Sequence, residues 1–236
     1  MRRTIACLTL VIVTIAACSD ADDDAAATWS TQVAVTSTAA PATTAAPATT
    51  STTSTTVVAG TASNPALRDE LLAMLEIDQA VRTGIAPPGD TRTEQELFDA
   101  MDDVDSTNKA RLAEIFDQYG WPGWSLVDKD GSTAAWAIVQ HADLDLAFQV
   151  RGLELLQAAV DAGDASKGDL AYLIDRVRVA KNQPQVYGTQ WSPNADGEWA
   201  PRTIIEDEAN VDARRAEAGL GTLAEYMEEL EAMFPE

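Results

Sequence analysis

Histidine occurs once and cysteine twice in these 236 residues, too few for the cysteine- and histidine-rich zinc sites, and neither a metal nor another cofactor is expected. Basic side chains are also scarce. Lysine and arginine number 16 against 38 aspartates and glutamates, a formal charge of −22 with a pI near 4.1. Such a chain repels a phosphate backbone, so no nucleic-acid partner is expected. There is no glycine-rich phosphate loop and no serine in a nucleophile-elbow pattern. What the sequence has in quantity is apolar: hydrophobic residues make up 46 %, enough for a packed core and too many for disorder throughout.

The start is an address label. Met1-Arg2-Arg3 is basic, and the apolar run Ile5 to Ala17 follows. At roughly 13 residues against the ~20 of a spanning helix, that run predicts a secretory signal and not a membrane span. Its end, Ile15-Ala16-Ala17-Cys18, resembles the lipobox of bacterial lipoproteins. That resemblance implies cleavage before Cys18 and a diacylglycerol on its thiol, hence an exported protein held on the outer face of the cell membrane by lipid. Cys7 would leave with the signal. No cysteine follows Cys18, so no disulfide is expected although the export route leads to an oxidising compartment.

Between Asp24 and Arg68 no charged residue occurs, and Ala25 to Ser63 is almost entirely Ala, Thr, Ser, Pro and Val. Such composition cannot bury a core and predicts a disordered tether over residues 18–63. A flexible coil of about 40 residues spans on the order of 35 Å, and a polyproline-extended one roughly 120 Å.

Residues 64–236 are expected to form one acidic, mostly α domain with a single small β-hairpin. Asn64 and Pro65 announce a first helix carrying Leu67, Leu71, Met74 and Leu75, ending near Thr83 before Gly84. Thr93 and Glu96 form a capping box for a second helix, which Asp105 and Ser106 are expected to break in two. Gly120-Trp121-Pro122-Gly123 ends it. Ser132 or Thr133 should cap a third helix whose run Ala134 to Val139 has no polar face and is expected at the centre. Asp145 caps a fourth and Ser166 with Asp169 a fifth. Gln185–Trp191 and Glu198–Ile204 read as two strands joined around Asn194-Ala195-Asp196-Gly197. Asn210 starts a short helix, and Thr222 with Glu225 caps the last.

Several polar motifs punctuate this pattern: Asp78-Gln79, Asn108 with Arg111-Leu112, Gly120-Trp121-Pro122, Gln140-His141-Ala142-Asp143, Ala171-Tyr172-Leu173 with Asp175-Arg176, and Tyr187-Gly188-Thr189-Gln190. In this order and spacing they resemble an uncharacterised bacterial group, domain-of-unknown-function family 6624, over Leu67 to Tyr226. The resemblance implies a mostly helical domain and brings no activity with it. Asp128 stands where that group usually has glycine, and Leu146 where it usually has proline.

Read physically, Asp78 and Asn108 continue apolar stripes, Gln140 and His141 end the helix without a polar face, and Asp175 and Arg176 flank the Leu170–Ile174–Val177 stripe. Polar groups so placed need partners, since burying one unpaired costs roughly 1–3 kcal/mol. One shared network is expected, with Tyr187 and Gln190 delivered by the hairpin. It has two readings. As structure, Asp78 pairs with Arg82, Asp175 with Arg176 or Arg178, and Asn108 and His141 satisfy loop backbone. As a pocket, His141, Asp143 and Asp175 are the candidate catalytic groups, and Asp78, Gln79, Asn108, Gln140, Arg176, Tyr187 and Gln190 hold a ligand.

Other features read more plainly. Asp128-Lys129-Asp130-Gly131 lacks the closing glutamate of an EF-hand loop and predicts a capped turn. Trp121, Trp124 and Trp136 predict core and turn packing rather than a carbohydrate platform. The chain therefore reads as a surface-anchored lipoprotein displaying a helical binding or interaction module for an unidentified small-molecule or cell-envelope ligand. The alternative is a small hydrolase with His141 as general base, oriented by Asp143 or Asp175.

Overall fold

Seven helices and one short hairpin follow each other along the chain in a computed structural model that describes residues 62–83 and 92–233. The signal segment, Cys18, the tether up to residue 61 and the Gly84 helix stop lie outside the described residues, whereas Ala62 and Ser63, its expected last two residues, are bonded to Asp128 and Ser125 and belong to the folded domain.

Helix α1 spans Pro65–Thr83, with the Asn64 carboxamide oxygen accepting from Leu67 N at 3.2 Å. Helix α2 spans Glu94–Tyr119 and opens with the complete Thr93–Glu96 capping box. The expected break at Asp105-Ser106 is absent. Asp105 accepts two bonds from Arg82 of α1, at 2.7 and 2.9 Å, and so does not turn back on its own backbone to cap a second piece.

Helix α3, Trp124–His141, begins before the expected cap at Ser132 or Thr133 and breaks at Val127 and Asp128, the latter at φ 58°. The cause lies elsewhere in the chain. Ser63 N and Asn64 N donate to the carbonyls of Ser125 and Leu126 at 3.2 and 2.9 Å, occupying acceptors that a continuous helix would use internally. Ser132 sits inside the helix, where its hydroxyl accepts from the Trp121 indole at 3.0 Å. From Ala134 to His141 every residue is buried, and α1 makes its most extensive contacts with this central helix.

Helices α4, Leu146–Asp161, and α5, Lys167–Ala180, pack on each other and on α3. Asp145 caps α4 by accepting from Phe148 N, and Ser166 caps α5 by accepting from Asp169 N. Gly152 lets α4 approach α3 closely, since a Cβ there would lie 2.8 Å from Val139 Cγ1. The core joins Leu71 and Leu75 to Leu112 and Ile115, to Val139, and to Leu156 and Leu173.

The strands are shorter than the β-branched and aromatic content predicts. β1, Trp191–Pro193, pairs antiparallel with β2, Trp199–Pro201, with Ser192 opposite Ala200. Gln185–Gln190 is not strand, apart from one bridge between Gln185 and Ile205, because its amides are turned onto Asp175. A 3-10 turn, Glu208–Asn210, leads into α6, Val211–Glu217, and Asn210 gives no side-chain cap. Helix α7, Leu223–Met233, opens with Thr222 and Glu225 bonding reciprocally. No described helix is long and apolar enough to cross a membrane.

Candidate functional site

Asp78 lies on α1 in line with Leu71, Met74 and Leu75, which carries its carboxylate into the interior at 1 % exposure. Three donors converge on it. Gln79 Nε2 reaches Oδ2 at 2.8 Å, Arg82 Nη1 reaches Oδ1 at 2.7 Å, and His141 Nδ1 lies 2.9 Å from Oδ1. The other arm of Arg82 holds Asp105, so one buried guanidinium ties α1 to α2 and balances two carboxylates. Burial raises the Asp105 carboxyl above its ordinary value, and Arg82 counters that rise. Nearby, Asn108 Nδ2 donates to the Met74 carbonyl at 3.2 Å, so its partner is helical backbone and not a loop.

These bonds fix the tautomer that a neutral His141 adopts. Arg82 can only donate, so the Asp78 carboxylate is an acceptor, and a neutral His141 must carry its proton on Nδ1 to satisfy it. Nε2 then holds a lone pair. That nitrogen is buried and has no hydrogen-bond partner. His141 also lines a hollow of about 260 Å³, together with Asp102, Asp105, Ser106 and Lys109 of α2 and Ala142, Leu144 and Asp145 of the turn into α4. Lys109 Nζ is held by Asp145 at 3.0 Å, and Leu144 stands 83 % exposed at the rim.

The expectation that Asp143 or Asp175 orients His141 does not hold, because Asp78 does so. Asp143 instead takes bonds from Arg176 Nη2 and Gln149 Nε2, each at 3.1 Å. Arg176 is buried, and it also donates to the Gln140 carbonyl at 2.5 Å and to Gln190 Oε1 at 3.0 Å. The Gln140 side-chain Nε2 is buried without a partner.

Asp175 pairs with neither Arg176 nor Arg178. Its fully buried carboxylate accepts from the amides of Val186, Tyr187 and Thr189 at 2.6 to 3.2 Å, and from the Thr189 hydroxyl at 3.1 Å. Tyr187 enters this cradle through its backbone; its carbonyl accepts from Arg215 at 2.9 Å. A glycine is required beside it, for Gly188 has φ 65° and a Cβ there would meet Ile205 at 2.7 Å.

A polar seam thus runs from Asp105 through Arg82 and Asp78 to His141. It resumes at the Gln140 carbonyl and continues through Arg176, Gln190 and Thr189 to Asp175. Asp105 and His141, the two ends of its first stretch, both line the hollow, whereas Gln140, Arg176, Gln190, Thr189 and Asp175 do not. Of the candidate residues, Asp78, Gln79 and His141 share one cluster; Gln140, Asp143, Arg176 and Gln190 share a second. Asp175 and Tyr187 form a third with no bond to His141. Sequence reasoning passed over Asp102, Lys109 and Leu144 at the rim and took Asp105 only for a helix breaker. The available signal was Asp105 lying one helical turn from Met101 and Asn108, both on the buried face.

Asp128 accepts from Ala62 N at 3.1 Å and Asp130 pairs with Arg68, so their carboxylates serve the turn. Trp121 packs on Phe116 with the rings tilted 30° and centroids 5.7 Å apart, and Trp136 meets Tyr172 edge-on at 5.9 Å. Among the described residues no group of three or more His, Cys, Asp or Glu could hold a metal ion.

The model of a family of unknown function, DUF6624, matches residues 65–235. No curated protein and no solved structure matches the chain.

Proposed function

Because the chain belongs to DUF6624, a family whose function is itself unknown, its role has to come from its own residues, and we propose that it is a lipid-anchored surface protein whose helical domain binds a small ligand in the hollow beside His141. The observation that supports this is the state of one nitrogen. Asp78 fixes the imidazole by Nδ1, while Nε2 of this hollow-lining residue is buried and unpartnered. Leaving such an atom without a partner costs roughly 1–3 kcal/mol, which a ligand donor would recover. A volume of about 260 Å³ sits below the usual range for drug-sized pockets and suits a small molecule or the end of a larger one.

A fragment library screened by thermal shift tests the reading. Stabilising hits that disappear in His141→Ala support it; hits that persist unchanged in that variant refute it. The lipid anchor is tested separately by Cys18→Ala, which should release the protein into the medium, whereas unchanged membrane retention refutes lipidation.

One observation favours a second reading, hydrolysis. An Asp78–His141 pair in this tautomer can draw a proton from water or a hydroxyl at Nε2. Turnover of an ester or amide library that vanishes in both His141→Ala and Asp78→Asn would establish it over simple binding.

A further inference from the structure

The hollow has a chemical preference that follows from its lining, and this step rests on the ligand-binding reading above. Asp102, Asp105 and Asp145 supply three carboxylates against a single ammonium, Lys109. Lys109 is committed to Asp145 and Asp105 to Arg82. Asp102 is exposed and has no ion-pair partner among the described residues. The buried point of the site is His141 Nε2, which in the neutral Nδ1–H tautomer accepts and does not donate. An anion would therefore meet negative charge at the rim and a lone pair within. A metal ion would find only one imidazole and one uncommitted carboxylate, short of a coordination shell. A ligand that donates hydrogen bonds and carries positive charge meets a complementary group in each place, with Leu144 and Ala142 against its hydrocarbon part.

We infer that the hollow recognises a primary ammonium group on a short aliphatic chain. One N–H bonds His141 Nε2, the charge faces Asp102, and the chain lies against Leu144.

The test compares three probes of one shape, n-butylamine, n-butanol and butyrate, titrated into the full-length protein near neutral pH. Amide shifts of Ser106, Ala142 and Leu144 give the readout. Butylammonium should move these signals saturably in the millimolar range while the other two leave them in place. Asp102→Asn, a change on the exposed rim, should weaken butylammonium roughly two- to fivefold, the worth of one exposed ion pair. Butanol binding as tightly as butylammonium, butyrate binding more tightly, or no effect of Asp102→Asn would each overturn the amine assignment while leaving the ligand site standing. If no probe binds but library hits still depend on His141, the amine assignment fails alone. If those hits are missing too, both readings fail.

Discussion

Replacing Asp175 by asparagine is a sharp perturbation because it changes one atom in a sealed place. The carboxylate is 0 % exposed. It accepts from three backbone amides and one hydroxyl, with both oxygens in use. Asparagine keeps one acceptor and turns an amino group toward the other donors. If the oxygen stays near Val186 N, the Thr189 amide faces a donor; if the side chain flips, Val186 N does. Either way at least one buried N–H is orphaned, at roughly 1–3 kcal/mol, and the remaining bonds lose their charge assistance. Together these give a loss of about 3 kcal/mol, a large fraction of the 5–15 kcal/mol typical of a domain. Urea titration of wild type and Asp175→Asn measures the difference, and hydrogen exchange should show the loss of protection concentrated at Val186, Tyr187 and Thr189. Ligand hits at His141 should survive at low urea. A stability change under about 1 kcal/mol would refute the clamp and return Asp175 to the catalytic candidates.

Two further outcomes follow from buried charge. Arg82→Met leaves Asp78 and Asp105 facing each other without their shared cation, which should cost about 3–5 kcal/mol. The loss should ease at acid pH as the already raised Asp105 carboxyl takes up a proton; equal melting temperatures for variant and wild type at alkaline pH would contradict it. Asp169 offers the opposite sign. Burial pushes its carboxyl from 3.8 up to about 7, so the folded protein binds this proton more tightly than the unfolded chain does. Its contribution to stability is therefore full below about 4, declines as pH rises, and is gone above about 7. Asp169→Asn should thus stabilise the protein relative to wild type more at pH 8 than at pH 5, by at most about 3 kcal/mol between the two and less where water reaches the side chain, read as a larger rise in melting temperature at pH 8. A uniform shift across pH would show that burial of this carboxyl has no such effect.

Local chemistry was legible in the sequence and distant contacts were not. Thr93 with Glu96, Asp145, Ser166 and Thr222 cap helices through partners within three residues, so spacing alone reveals them. The central burial of Ala134 to Val139 follows from the lack of any polar residue there. The break at Val127 and Asp128 depends on Ser63 and Asn64, some 62 residues away, lying along the helix start. Gln185–Gln190 has strand composition, but Asp175 claims its amides before a neighbouring strand can. For the site, the polar residues on apolar faces could be recognised as a set, whereas their pairing could not. Asp143, two residues from His141, is the partner that local spacing suggests; the actual partner is Asp78, 63 residues distant, brought there by the packing of α1 on α3.

With a single histidine in the chain, its imidazole can be read without ambiguity. A long-range proton–nitrogen spectrum of the full-length protein should show the neutral ring protonated on Nδ1, an unprotonated Nε2 that responds to bound ligand, and loss of this preference in Asp78→Asn. A ring protonated on Nε2 in the native protein would contradict the Asp78–His141 arrangement, and with it the acceptor on which ligand recognition is argued.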